Sequence, residues 1–240
     1  MTTFDLVIFD CDGVLVDTET INNEVISQLL KEAGLEMSPD EVARRTTGLA
    51  YSEMWEMFED EVPGSLPADI EEQQLTMESE RFRKELLPIP GAVETVRCLE
   101  AAGMPMCVAS NGTREKMVVT LEVTGLAGYF GDKFFGVNQV AHGKPAPDIY
   151  LLAAQKMEVP PSRCVVIEDS YPGAQAGLAA GMTVLGYCPN KDIWGLEGLG
   201  IQTFQQYERS PGVAGIGPGL TGSNGFFGTL GQQLLQRRVF

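Results

Sequence analysis

The chain has 240 residues, 44% of them apolar and 21% charged, with a formal net charge of −16. That length suits one large domain or two unequal ones, and the composition is that of an ordinary globular chain. The acidic balance argues against nucleic acid and anionic membrane as partners, since both reward clustered lysine and arginine.

Residues 4–9 are apolar except for Asp5, and Asp10 and Asp12 follow at once. Such a run reads as a strand buried on both faces of a parallel sheet. Residues 17–87 form an acidic block of 18 acids against 6 bases, a net of −12, while the remainder nets −4. The block reads as helical. Ile21, Val25, Leu29 and Ala33 recur every four residues with Ile26 and Leu30 beside them, and Gly34 stops the run. Ser38-Pro39-Asp40-Glu41 is a cap, a first-turn proline and an acid in helix-start order. Gly48 breaks the pattern, and helices are expected over 52–61 and 68–85. With no strand pattern inside it, the block is a small helical unit inserted after the first strand. Pro88-Ile89-Pro90-Gly91 closes it.

Beyond that point helices and strands alternate. Helices are predicted over 92–102, 114–124, 148–157 and 173–180, and strands over 105–109, 133–135, 164–167 and 183–186. Alternation of this kind gives an α/β fold, a doubly wound parallel, Rossmann-like sheet wrapped by helices. From about Pro189 the pattern fades; residues 201–204 read as a last strand. Residues 211–231 contain eight glycines and read as loop or partly disordered chain, with a short helix over Leu230, Leu234, Leu235 and Val239. Gly217, Gly219 and Gly222 match a dinucleotide-loop spacing, but no strand precedes them and Pro218 spoils the turn. No apolar run approaches the roughly 18 residues of a spanning helix, and Met1-Thr2-Thr3 lacks the basic region of a signal peptide.

The cysteines, Cys11, Cys98, Cys107, Cys164 and Cys188, are odd in number and form no C-x-x-C pair. This predicts buried thiols in a reduced, cytoplasmic protein. None has the arginine six residues on that a cysteine phosphatase needs. The single histidine, His142, excludes a multi-histidine metal site and reads as a loop residue.

Each remaining polar cluster follows a predicted strand: Asp10 and Asp12, Ser110 and Asn111, Lys144, then Glu168 and Asp169. Strand ends of one polarity share an edge of a parallel sheet, so four clusters distant in sequence converge there. The four acids are hard oxygen donors, and without histidine or paired cysteine the matching ion is Mg²⁺, which works with substrate phosphates. Lys144 adds a point charge for a phosphoryl oxygen or a carboxylate, Ser110 a hydroxyl, and Asn111 and Gly112 backbone amides near a helix start that suit an anion. One of the first two acids can attack phosphorus while the other protonates the leaving oxygen.

Asp10-x-Asp12-Gly-Val, Ser110-Asn111-Gly112, Lys144-Pro145-x-Pro-Asp148 and Glu168-Asp169-Ser170-x-x-Gly173 resemble the four motifs of the haloacid dehalogenase (HAD) superfamily. The inserted helices resemble the cap of its β-phosphoglucomutase-like branch. The resemblance divides the chain into a core, 1–16 and 88–205, a helical cap, 17–87, and a tail, 206–240. It implies Asp10 as nucleophile, Asp12 as acid/base, and Ser110 and Lys144 on the phosphoryl group. It further implies Mg²⁺ held by Asp10, the Asp12 carbonyl and Asp169, with Glu168 adjacent, and a cap loop of Thr47, Gly48 and Leu49 that meets the leaving group. Mutases of this branch carry His where Asn22 stands and Arg where Tyr51 stands. Those departures favour a phosphatase, and the wording around Cys11, 105–107 and 129–136 is similar to sugar-phosphate and 6-phosphogluconate phosphatases. Arg44 and Arg45 could meet a sugar-acid carboxylate or face solvent. The expected partner is a small phosphorylated metabolite, with no nucleic acid or membrane, and the expected state a monomer or weak oligomer. A phosphosugar mutase and a non-catalytic binding protein of this fold are the competing readings.

Overall fold

The computed structural model describes residues 4–46, 49, 51–189 and 195–207. The expected helix over the last residues, the glycine-rich stretch, Thr47 and Gly48 lie outside them. The described chain divides into two units, one formed by Met1–Val16 and Pro88–Phe240, the other by Asp17–Leu87.

The first unit is built on six parallel strands: β1 (Leu6–Phe9), β2 (Met106–Ser110), β3 (Phe134–Gly136), β4 (Cys164–Glu168), β5 (Thr183–Tyr187) and β6 (Gln202–Phe204). Their order is β3-β2-β1-β4-β5-β6, every neighbouring pair parallel. Every residue of β1, β2 and β4 is buried, which is why these strands are apolar on both faces rather than alternating. The chain runs from β1 outward to β3, then returns to β4 on the other side of β1. The sheet therefore switches direction between β1 and β4, the place where ligands bind in folds of this kind.

Helices α5 (Ala92–Ala101), α6 (Arg114–Val123), α7 (Ala127–Phe130), α8 (Asp148–Lys156) and α9 (Tyr171–Ala179) complete this unit. Helix α8 packs on β1, β2 and β3, and α9 on β4 and β5. Alternation along the strands divides the core. Leu6 and Ile8, with Cys164 and Val166, pack with Ile149, Tyr150 and Ala153 of α8. Phe9 points the other way and meets Phe130 of α7 edge-on, centroids 6.1 Å apart. Helix α7 was not expected; four residues are too few to show a helical period. Three short 3₁₀ turns, at Val137–Gln139, Pro161–Arg163 and Leu196–Leu199, were also missed. Tyr207, which the sequence assigns to the tail, is buried against Tyr187 and Phe204, with centroids 5.1 and 5.3 Å away.

Among its described residues the second unit holds four helices, α1 (Thr18–Glu32), α2 (Pro39–Thr46), α3 (Tyr51–Glu59) and α4 (Ile70–Glu85), called helices a to d in that order. Helix a starts three residues earlier than its apolar period shows, because Asp17 caps it and accepts from the Thr20 amide. Helix d reads as polar, yet it buries Gln74 and Glu78. Trp55 Nε1 donates to Gln74 Oε1 at 2.7 Å, and Gln74 Nε2 donates to Glu78 Oε1 at 2.7 Å. A satisfied polar chain of this kind replaces the missing apolar stripe. Among the described residues, no helix is long and apolar enough to cross a membrane.

Candidate active site

The register of the sheet places the acids. Phe9 pairs with Ile167 on one side and Val108 on the other, so Asp10 comes level with Glu168 and Ala109. The Asp10 amide donates to the Ile167 carbonyl at 2.9 Å. The period of two that turns Ile8 and Val166 toward α8 also turns Asp10 and Glu168 that way. Both are buried, at 7% and 0% exposure.

Lys144 lies in the turn before α8 and enters this space. Its ammonium donates to Asp10 Oδ1 at 2.5 Å, to Glu168 Oε1 at 2.7 Å and to the Ala109 carbonyl at 3.0 Å, three adjacent strand ends. The turn is clasped by Asn111, whose Oδ1 accepts the Lys144 amide at 2.8 Å and whose Nδ2 donates to the Lys144 carbonyl at 3.3 Å. Glu168 is held at both oxygens. Tyr150 donates to Oε1 at 2.8 Å, and Oε2 accepts from the Ser170 amide at 3.0 Å and its hydroxyl at 2.9 Å. These partners set the charge states. Burial raises the Asp10 carboxyl to about 7, against the pull of Lys144. Burial also opposes charge on Lys144 and Glu168, but opposite charge prevails: Asp10 first and then Glu168 hold the ammonium well above its usual value, and Lys144 holds the Glu168 carboxyl below its own.

Asp10, Glu168 and Asp169 offer oxygens that all lie within 4.8 Å of one another. That spacing is near the separation of two oxygens on one Mg²⁺, about 4.2 Å at most, so the cluster could hold such an ion. The chemistry fits as well. Two buried carboxylates share one lysine, with Asp169 beside them, and the surplus negative charge suits a divalent cation. Both Glu168 oxygens are engaged, and Glu168 braces Lys144. The Asp12 carboxylate is not in that group. It pairs with Lys116 of α6, whose Nζ lies 3.1 Å from Oδ1 and 3.2 Å from Oδ2. Ser110, the last residue of β2, accepts the Gly112 amide at 3.0 Å, so that amide is engaged within the loop instead of pointing to open space.

Strand-end clusters from β1, β2 and β4 thus meet, and Lys144 joins them from a turn. Sequence reasoning missed Tyr150, which reads as one more apolar-face residue, and Lys116, whose partner is 104 residues away. In the helical unit, Arg45 ion-pairs with Glu61 and stacks on Phe58, its guanidinium 5.3 Å from the ring centroid. Leu49 is 40% exposed. Asn22 donates to the Tyr51 hydroxyl at 3.3 Å, which in turn lies 3.4 Å from Glu78 Oε1. His142 sits in an exposed turn against Asp148. All five cysteines are free and four are buried.

A parallel six-stranded sheet ending in these acids and one buried lysine defines a class. The haloacid dehalogenase-like hydrolases match residues 4–181, and the chain belongs to that family. Among its relatives is the 6-phosphogluconate phosphatase of Escherichia coli K12, 34% identical over 212 residues, covering 88% of this chain and 95% of that protein. The fructose-1-phosphate phosphatase of the same organism is 34% identical over 180 residues, 73% of this chain and 92% of that one. A HAD family hydrolase from Deinococcus radiodurans, solved with bound phosphate and sodium, superposes with a TM-score of 0.75 at 36% identity, covering 85% of this chain and 91% of that one.

Proposed function

We propose that the enzyme is a Mg²⁺-dependent phosphatase of a small sugar or sugar-acid phosphate, such as 6-phosphogluconate, acting through an aspartyl-phosphate. It is a phosphoric monoester hydrolase of the haloacid dehalogenase-like family. The observation that carries the reading is the contact of Lys144 with both Asp10 and Glu168 at the strand ends. A nucleophile needs a fixed carboxylate, and this one is fixed by a lysine that is itself fixed by a second acid. Asp10 would attack phosphorus through one carboxylate oxygen. Asp12 would give its proton to the departing alkoxide, releasing the sugar. Asp12 would then take a proton from water as that water attacks phosphorus, freeing phosphate and Asp10. Asp10 and Asp169 would hold Mg²⁺, which when bound supplies positive charge to the phosphoryl oxygens. Lys144 and Ser110 would face the same oxygens.

Water as acceptor is supported by Asn22 and Tyr51, which stand where mutases carry His and Arg and which are bonded to each other. The pairing of Arg45 with Glu61 means that a substrate carboxylate would have to displace Glu61 to reach that guanidinium. The helical unit is read as the cap, and the cell compartment as the cytoplasm.

The test is a phosphate-release screen over sugar and sugar-acid phosphates with Mg²⁺, with Asp10→Asn as the control. Release by the wild type alone is expected. Interconversion of β-glucose 1-phosphate and glucose 6-phosphate without phosphate release would replace this reading with a mutase. Tight binding with no turnover would replace it with a binding protein.

A further inference from the structure

Helix α6 begins with an unusual charge. Thr113 caps it, its hydroxyl accepting the Lys116 amide at 3.2 Å, so Lys116 occupies the first turn. The amino end of a helix is positive, and a lysine there is disfavoured unless something offsets it. A residue that breaks a local rule in this way is expected at a functional site. Glu115 supplies an acid in the same turn, and the Lys116 ammonium itself meets the Asp12 carboxylate at both oxygens, 3.1 and 3.2 Å away. The two side chains are 34% and 29% exposed, so the pair lies at the open side of the site, whereas the Lys144 pair is sealed.

The turn that carries Lys116 is held rigidly. The Asn138 side chain accepts from the Arg114 amide at 3.3 Å and donates to Glu115 at 3.2 Å. The Val137 amide donates to the Gly112 carbonyl at 3.1 Å. A Cβ on Gly136 would lie 2.4 Å from the Arg114 nitrogen, so the end of β3 is pressed against the start of α6. The lysine also borders the expected phosphate space: a Cβ on Gly112 would be 3.4 Å from Ser110 Oγ, 3.5 Å from Lys116 Cδ and 3.6 Å from Asp12 Oδ2. A rigid base with a two-point contact is what fixes a reacting group's orientation.

We propose that Lys116 is a positioning residue for Asp12. It holds the Asp12 carboxyl group beside the expected phosphate space, keeping one oxygen when the other carries the proton, and it does not itself touch the phosphoryl group. This rests on the phosphatase reading above. A side chain that aims a general acid acts on the chemical step and leaves substrate affinity alone, so kcat and KM separate. It also has nothing to contribute to the first step when the leaving group departs without a proton.

The test compares wild type, Lys116→Met and Lys116→Arg on an alkyl phosphate taken from the screen and on p-nitrophenyl phosphate, with Mg²⁺ throughout. With the alkyl phosphate, K116M is expected to lose about 10- to 100-fold in kcat, the scale of a misplaced catalytic group, with KM within about 3-fold of wild type. K116R, which keeps the charge, should recover most of the loss. With p-nitrophenyl phosphate, rapid mixing should show K116M keeping the wild-type burst rate of p-nitrophenol, because phenolate leaves unprotonated. Unchanged kcat for K116M overturns the inference. So does a KM rise at constant kcat, which would make Lys116 a substrate contact, and so does a burst slowed equally. Lys116→Gln, which also removes the charge, repeats the measurement with the same expectations if K116M fails to fold. Failure of the wild type itself to release phosphate sinks the functional reading instead.

Discussion

Gly173 is the position where one methyl group reaches furthest into the site. A Cβ there would lie 1.7 Å from Glu168 Oε1, 2.0 Å from its carboxyl carbon and 2.4 Å from Oε2, where ordinary contact begins at 3.4 Å. A long side chain usually yields cheaply, but this one is fully buried and bonded to Lys144, Tyr150 and Ser170. Gly173→Ala must therefore push the carboxylate off Lys144. Breaking a buried pair so that a charge is left uncompensated costs about 3–5 kcal/mol, a large share of the ~5–15 kcal/mol that holds a domain folded. Lys144 would shift as well, and a displacement of about 1 Å at a reacting centre costs about 10²-fold in rate. Urea unfolding followed by circular dichroism, with turnover measured alongside, reads both quantities. Glu168→Ala provides the internal check, because in that background the added methyl has room and its penalty should fall below about 1 kcal/mol. Wild-type turnover with a loss under about 1 kcal/mol for Gly173→Ala alone would refute the reasoning.

Asp10→Asn should abolish turnover and leave the far-ultraviolet circular dichroism unchanged; residual activity near wild type removes Asp10 as nucleophile. Burial raises the Asp10 carboxyl to about 7, and the proposed Mg²⁺ would require it ionised. Protons therefore compete with the metal below pH 7, and affinity measured by calorimetry should rise about tenfold between pH 6 and 8, then level off. A flat affinity over that range contradicts the assignment. Arg45→Ala removes an ion pair whose members are 32% and 36% exposed, so thermal denaturation should register a loss near or below about 1 kcal/mol. A much larger loss would mean that the Phe58 contact matters more than the charge.

The sheet was readable because β1, β2 and β4 are buried on both faces and so appear as unbroken apolar runs. The acids were readable because each follows such a run. Other parts left no local trace. The start of helix a depends on Asp17 accepting from Thr20, a bond outside the apolar period. Helix d hides its buried face behind Gln74 and Glu78, which look like solvent residues until Trp55 is seen to bond the first of them. Tyr150 looks like packing because its ring does pack, and only its hydroxyl reaches Glu168. Lys116 did leave a trace, a cation in the first turn of a helix, but its partner belongs to a loop about a hundred residues earlier and no periodicity links the two.

The insertion of the helical unit has its own junction. Val16 bridges Pro88 in antiparallel fashion, and the Ile89 amide donates to the Leu15 carbonyl at 2.9 Å. The core chain thus leaves and returns through one paired point. To the core, everything between is a loop, and the entropy of closing a loop grows only as the logarithm of its length. The inserted helices can lengthen, shrink or be exchanged while Asp10 stays level with Glu168. The core and the inserted helices are then free to change at different rates, because they share two backbone crossings and not a common register.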